Sequence, residues 1–217
     1  AVCLTTIAIF AKVFFSSPAT LAGLVGTAGW YMTIISAAVA LIGFLFIYLL
    51  LKRFPGKDLA EIFDISLGRF FGFIFSGVLS LYILYIAVTR LSEFNEVIKV
   101  YAFPLSPNWF INGLFIICVF VLSRLGLESI ARLSKLLIYI MIAGLILVLA
   151  LGSQNYHINN IYPILGHGLD KTILTGIARS SVYGEVIILG IFAGSFQGAK
   201  YIKKEGIISI GLSALLI

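Results

Sequence analysis

Residues 30–51, WYMTIISAAVALIGFLFIYLLL, form an apolar stretch without a charged side chain. A helix that crosses the hydrocarbon layer of a membrane needs about 20 mostly apolar residues, and this stretch provides them. Only α-helices and closed barrels satisfy their backbone hydrogen bonds in that layer, and a continuous apolar run is typical of a helix. We therefore expect residues 30–51 to form a transmembrane helix.

The remainder of the chain has the same character. Hydrophobic residues make up 61% of the 217 positions and charged residues 11%, whereas soluble domains have about 45–50% and about 25%. Further apolar stretches occupy residues 1–29, 70–101, 109–123, 128–151 and 172–196, and a shorter one occupies 207–217. The sequence predicts an all-α polytopic membrane protein with one transmembrane domain over 1–217. We expect it to be a fragment of a longer protein, truncated in the seventh helix.

Basic residues are concentrated in alternate connections between these stretches. They cluster in residues 52–69, 124–135 and 200–204 and are sparse in the intervening connections. Because cytoplasmic loops carry an excess of Lys and Arg, the chain start is predicted on the cytoplasmic side. Orientation in a membrane therefore accounts for the net charge of +6, and no nucleic-acid partner is expected.

Two of the predicted spans are interrupted near their middle. The first contains Lys12 and the run Ser16-Ser17-Pro18, where proline disfavours a helix at the preceding residue. The sixth contains the run Arg179-Ser180-Ser181 and then Tyr183-Gly184-Glu185. Transporters built from inverted repeats have broken helices of this kind. The pattern predicts a first five-helix repeat in 1–151 and the start of a second in 170–217.

Helix ends at a midspan break present backbone N–H and C=O groups to a ligand. An amino acid, with one carboxylate and one ammonium group, suits such ends. The other expected partner of the protein is the lipid bilayer around it. The candidate substrate-binding residues are therefore those at the two breaks: Ala11, Lys12, Val13, Phe15, Ser16, Ser180, Tyr183, Gly184 and Glu185.

Charged side chains inside the predicted spans are candidates for function, since charge is costly in hydrocarbon. Lys12 and Glu185 have opposite signs, which fits either a structural ion pair or a role in substrate, cation or proton handling. Lys135 is a further candidate for coupling, although a lysine two turns into a helix also extends easily to the cytoplasmic surface. Arg90 and Glu93 are spaced for an intramembrane ion pair, or for the solvated outer end of a long helix.

Enzymatic and metal chemistry find little support in the sequence. His157 and His167 share a loop without further ligand types nearby, and the two cysteines are far apart in sequence. We find no nucleophile–base arrangement and no phosphate-binding loop. We expect no enzyme activity, no metal and no cofactor.

Several segments resemble the spore germination permease family, the B subunits of Ger-type nutrient receptors in the amino acid–polyamine–organocation superfamily. They occur in family order along nearly the whole chain. The matching segments are Phe15-Ser16-Ser17-Pro18, Gly26-Thr27-Ala28-Gly29-Trp30, Arg53-Phe54-Pro55-Gly56-Lys57-Asp58-Leu59, Leu67-Gly68-Arg69, Arg90-Leu91-Ser92-Glu93-Phe94, Leu105-Ser106-Pro107, Gly126-Leu127-Glu128-Ser129-Ile130-Ala131-Arg132, Asn160-Ile161-Tyr162-Pro163-Ile164-Leu165 and Tyr183-Gly184-Glu185.

The resemblance implies a leucine-transporter-like inverted-repeat fold with broken first and sixth helices. It also implies a receptor subunit of the spore inner membrane that binds a nutrient, commonly an amino acid, and has A-type and C-type partner subunits. Related permeases usually carry a G-x-G at the first break, where this chain has Ala11-Lys12-Val13. A proton- or cation-coupled amino acid transporter and a scaffold without a ligand remain alternatives.

Overall fold

Helices joined by short turns make up the chain in the part that the computed structural model describes, namely residues 2–15, 17–153, 162–163, 165–195 and 199–217. In chain order they are α1 (Val2–Phe15), α2 (Ser17–Val25), α3 (Gly29–Arg53), α4 (Leu59–Tyr101), α5 (Asn108–Gly152), α6 (Leu169–Arg179), α7 (Ile188–Ile191) and α8 (Ala199–Leu216). Segments of 3-10 helix lie at Gly26–Ala28, Ser180–Ile187 and Ala193–Ser195. The all-α prediction is confirmed.

Four stretches of the described chain are long and apolar enough to cross a membrane. They are Leu21–Arg53, Leu59–Tyr101, Asn108–Gly152 and Leu169–Ile191, and Val2–Ala11 is a shorter apolar helix. Large apolar side chains project outward along α4 and α5, as on helices that face lipid, and Phe73 is 79% exposed. The chain is therefore a polytopic integral membrane protein, as its composition predicts.

The predicted fourth and fifth spans both fall on α5. Gly126 lies between them with φ 83° and ψ 172°, which is outside helical geometry. A residue with a Cβ is strained in that conformation, so glycine allows the change of direction there. The sequence predicted a basic connection within residues 124–135, and the structure has a glycine kink inside one continuous helix at this place.

Helix contacts divide the chain into two units, which are residues 1–56 with 133–217, and residues 57–132. In the second unit, Gly68 has φ 79° and ψ 162° and interrupts α4 near its start. The short helical piece before Gly68 contacts the long piece after it. A Cβ added to Gly72 would lie 2.7 Å from Asp64 Cα, and the rings of Phe63 and Phe75 are 6.1 Å apart.

In the first unit, α3 contacts α6, α8 and the 3-10 segment Ser180–Ile187. A Cβ added to Gly176 of α6 would lie 2.9 Å from Ile35 Cγ2 of α3. Gly206 of α8 lies directly against the buried ring of Phe44. Small residues at such contacts allow membrane helices to approach closely, and this packing fixes α6 against α3.

Candidate functional site

The stretch that begins at Leu169 loses α-helical geometry in its middle. It consists of α6, the eight-residue 3-10 segment Ser180–Ile187 and the short helix α7. Runs of 3-10 helix longer than three or four residues are uncommon, and a run inside a helix often marks a hinge or strain. The interruption that the sequence predicted near Arg179 to Glu185 coincides with this segment.

Two polar side chains of the 3-10 segment are buried. Tyr183 is 2% exposed and Glu185 is 6% exposed. The segment contacts α1 on one side and α3 on another. Because a carboxylate is costly inside a membrane unless it is paired or wetted, Glu185 is the strongest candidate for function on this stretch.

A small pocket opens beside the 3-10 segment. It has about 230 Å³ of atom-free space, part of it open to the surroundings. The lining residues are Leu21, Met32, Thr33, Ser36, Arg179, Val182, Tyr183 and Ile217. One wall is therefore α3, and the opposite wall is the junction between α6 and the 3-10 segment.

Hydrogen-bond donors and acceptors are divided between the two walls of the pocket. The Ser36 hydroxyl lies 2.8 Å from the Gly176 carbonyl oxygen, and Thr33 donates to the Gly29 carbonyl oxygen at 2.8 Å. Because these hydroxyl protons are used by backbone carbonyls, both oxygens keep lone pairs for a further donor. Tyr183 carries a buried hydroxyl without a hydrogen-bond partner in the described part of the chain.

The predicted substrate-binding residues of the sixth stretch share one element. Ser180, Tyr183, Gly184 and Glu185 all lie in the 3-10 segment, and half-buried Ala11 lies on α1, which contacts it. The residue Ser16 and the side chains of Lys12, Val13 and Phe15 lie outside the described residues. The pairing of Lys12 with Glu185 therefore stays a prediction.

The other predicted charged residues lie on α4 and α5. The Lys135 side chain is exposed, whereas its neighbour Ser134 is buried. In the second unit, Arg90 Nη1 lies 2.5 Å from Glu93 Oε2, and each side chain is about one-third exposed. Whether that contact lies within the hydrocarbon layer stays a prediction.

His167 has a structural contact with the end of α2. Its Nδ1 lies 3.1 Å from the Leu24 carbonyl oxygen, and its backbone N–H donates to the Val25 carbonyl oxygen at 3.3 Å. Within the described ranges, no group of three or more His, Cys, Asp or Glu side chains could hold a metal ion. His157 lies outside the described residues.

The α3 wall of the pocket was missed by the sequence reasoning. Residues 30–51 were interpreted only as a clean span, yet Met32, Thr33 and Ser36 line the pocket. A usable signal was present, because Thr33 and Ser36 are polar residues three apart and share one helix face. Hydroxyl residues in membrane helices commonly hydrogen-bond across helix contacts, as Ser36 does.

Comparison with known proteins gives one consistent result. The family model described as spore germination protein matches residues 1–217. Spore germination protein KB of Bacillus subtilis (strain 168) is 27% identical over 199 residues, which cover 88% of this chain and 52% of that protein. Spore germination protein A2 of the same organism is 27% identical over 183 residues, which cover 82% of this chain and 47% of that protein. The chain thus spans about half the length of these curated relatives, and no solved structure matches it.

Proposed function

Because the chain belongs to the spore germination protein family, we propose that it is part of a germinant receptor subunit. In this proposal the protein binds a nutrient, an amino acid, near the membrane midplane and transmits a conformational change to partner subunits. A-type and C-type germinant receptor subunits are the proposed partners, and the spore inner membrane is the proposed location.

The observation that carries this proposal is the interrupted sixth stretch. An eight-residue 3-10 segment replaces α-helix where the chain also buries Tyr183 and Glu185. A run of 3-10 helix inside a helix often marks a functional hinge. A ligand that binds one of two arrangements more tightly shifts the population toward it, which is what a receptor requires.

Ligand-dependent stabilisation tests the binding step. The full-length protein in lipid nanodiscs is heated with each of a panel of L-amino acids and with glucose. A nutrient at about 100 times its Kd adds about 2.7 kcal/mol to the free energy of unfolding, so its melting temperature rises measurably. If no compound shifts the melting of folded protein, the nutrient-binding proposal fails.

We assign the coupling step of the proposal to Lys12 and Glu185. The 3-10 segment that carries Glu185 contacts α1, the helix that carries Lys12. In this proposal the Lys12 ammonium occupies the place of a coupled cation and Glu185 is its partner, so protonation replaces ion binding. Lys135 is the weaker candidate for this role, because its side chain is exposed.

Charge removal tests the coupling step. Lys12→Met and Glu185→Gln should each alter the ligand response of the full-length protein and its dependence on pH. Lys57→Met is the matched control, since Lys57 is an exposed residue whose Nζ lies 3.3 Å from Glu61 Oε2. If the response and its pH dependence are the same in both test variants and the control, coupling through this pair is excluded.

An amino acid transporter is the second candidate function, because interrupted helices at a midplane site serve transport equally well. Uptake separates the two functions. Proteoliposomes with the full-length protein should bind a labelled amino acid without accumulating it if the protein is a receptor alone. Accumulation that depends on a proton or cation gradient would assign the transporter instead.

The proposed orientation has its own test. Single cysteines replace Lys57 and Leu105 in a protein whose Cys3 and Cys118 are changed to serine. Both positions are exposed and lie in different connections, before α4 and after it. A membrane-impermeant thiol reagent added outside intact cells should label Leu105→Cys and spare Lys57→Cys, and the reverse result would invert the proposed topology.

A further inference from the structure

Basic side chains from two helices meet at one end of the first unit. Lys52 and Arg53 end α3, and Lys203 and Lys204 lie near the start of α8. All four side chains are exposed. We propose that this surface, called here the basic patch, binds the phosphate headgroup of an anionic phospholipid. Such a lipid site does not depend on the proposed nutrient binding.

The packing of α3 against α8 brings these cations together. Gly206 lies against the ring of Phe44. Lys203 Nζ lies 5.5 Å from the centre of the Tyr48 ring. Residue numbers that rise along α3 therefore meet numbers that fall along α8, so the two helices are antiparallel. Lys52 follows Tyr48 by four positions and shares its helix face. The end of α3 and the start of α8 thus present their cations around one tyrosine.

The basic patch is not neutralised by carboxylates among the described residues. None of its four cations takes part in an ion pair there. The sequence of the first unit contains three acidic residues. Asp170 lies in the first turn of α6, Glu185 is buried, and Glu205 has a buried Oε2. Like charges held close together repel one another, and an anion that binds between them relieves this repulsion.

The position of the basic patch in the membrane favours a lipid headgroup as that anion. The stretch Leu21–Arg53 is long and apolar enough to cross a membrane, and Lys52 and Arg53 are its last two residues. They therefore lie where hydrocarbon meets the headgroups. Tyr48, one turn inward, is of a residue type that is enriched at this boundary. Basic pockets between membrane helices are known to bind the phosphates of anionic lipids.

Orientation alone explains why basic residues lie near helix ends, but it does not explain their arrangement. The positive-inside rule concerns the number of Lys and Arg residues in a connection, whichever helices meet there. In this protein, cations far apart in the sequence converge on Tyr48. The contact between Lys203 and the Tyr48 ring has cation–π geometry, which holds the ammonium group in place beside α3.

Lipid binding to the full-length protein tests the site. The protein in detergent is titrated with phosphatidylglycerol and with phosphatidylcholine of the same acyl chains, and native mass spectrometry measures the affinity for the first bound lipid. Phosphatidylglycerol should bind about tenfold more tightly, because its headgroup carries a net negative charge. Glycerol 3-phosphate, which has the phosphate without the acyl chains, should not displace it at the same concentration.

Paired substitutions locate the bound lipid. Lys52→Gln/Lys203→Gln should weaken phosphatidylglycerol binding by about tenfold or more, because each lysine near an anionic headgroup raises the affinity by roughly fivefold. Phosphatidylcholine binding should stay the same. Lys99→Gln/Lys171→Gln is the matched control, since it removes the same charge from the last turn of α4 and the first turn of α6. This control should change phosphatidylglycerol binding by less than about twofold.

Tyr48 distinguishes a formed site from general attraction to positive charge. Tyr48→Leu removes the ring beside Lys203 but no charge, so it should weaken phosphatidylglycerol binding by about threefold. Tyr48→Phe keeps the ring and should bind as the unchanged protein does. Size-exclusion chromatography and circular dichroism establish that each variant is folded before the titration. Unchanged binding in folded Tyr48→Leu would show that the arrangement around the ring has no role.

Three further results would overturn the lipid site. One is equal affinity for phosphatidylglycerol and phosphatidylcholine. Another is equal phosphatidylglycerol affinity in the two double variants, which would show attraction to net charge alone. The third is displacement of the lipid by glycerol 3-phosphate, which would assign a free phosphate compound to the basic patch. All of these leave the proposed nutrient binding standing, because that function is measured separately by ligand-dependent melting.

Discussion

The hydroxyl oxygens of Thr5 and Ser209 lie 2.5 Å apart, although 204 positions separate them in the sequence. Both side chains are fully buried, where α1 contacts α8. Thr5 also lies 3.1 Å from the Val2 carbonyl oxygen, and Ser209 lies 2.8 Å from the Glu205 carbonyl oxygen. One hydroxyl can therefore donate across the contact while the other donates to its own helix.

Removal of this contact should destabilise the protein modestly. Interhelical hydrogen bonds in membrane proteins average about 0.6 kcal/mol in double-mutant cycles, since each partner finds an alternative acceptor. We expect Thr5→Val and Ser209→Ala to show a coupling of about 0.5–1 kcal/mol in the free energy of unfolding in nanodiscs. Ser80→Ala is the control, because the exposed Ser80 bonds within its own helix. A coupling of zero would mean that the two hydroxyls do not link α1 to α8.

Gly206 should be intolerant of a larger residue. Its position on α8 lies against the ring of Phe44, which is 1% exposed and has little space to move. Overpacking of this kind costs about 1–3 kcal/mol, so Gly206→Ala should lower the free energy of unfolding by that amount. Gly211→Ala on the same helix meets nothing within 4 Å and should be neutral or slightly stabilising.

A compensating substitution checks the mechanism. Phe44→Leu removes part of the ring, so Gly206→Ala combined with Phe44→Leu should cost less than the sum of the two single changes. Additive costs would show that Gly206→Ala acts through something other than the Phe44 contact.

Some features of the fold are readable from the sequence, and others depend on helix packing. The composition of residues 30–51 alone predicts a membrane helix, and α3 contains these residues. The polar residues after Arg179 predict an interruption, but its 3-10 geometry through Ile187 includes apolar residues that carry no such signal. The pocket wall formed by Thr33 and Ser36 depends on which face of α3 meets α6, a non-local choice that single-helix periodicity leaves open.

The bend at Gly68 should depend on two glycines. Gly68 has a positive φ, and Gly72 lies so close to Asp64 that a Cβ would contact its backbone. A residue forced into this sparsely populated conformation costs about 1–3 kcal/mol, so Gly68→Ala should destabilise the protein by that amount. We expect Gly72→Ala to be at least as costly and to increase protease cleavage within residues 59–67. Gly77→Ala, with nothing within 4 Å, is the control on the same helix, and equal proteolysis of all three variants would exclude a role for the bend.

Arg90 and Glu93 should behave as a pair shielded from water. Arg90 Nη1 contacts Glu93 Oε2 at 2.5 Å, and its Nε is buried without a partner in the described part of the chain. A solvated i,i+3 pair is worth about 0.2–0.5 kcal/mol, whereas an unpaired arginine in hydrocarbon costs about 2.5–3.5 kcal/mol.

We therefore expect Glu93→Gln to lower the free energy of unfolding in nanodiscs by more than about 1.5 kcal/mol. The double variant Arg90→Gln/Glu93→Gln should recover most of this loss, because no charge then stays unpaired. Glu96→Gln, at an exposed position one turn away, should change stability by less than about 0.5 kcal/mol. If Glu93→Gln lowers the free energy of unfolding as little as Glu96→Gln does, and salt abolishes that effect, the pair lies in water at the outer end of α4.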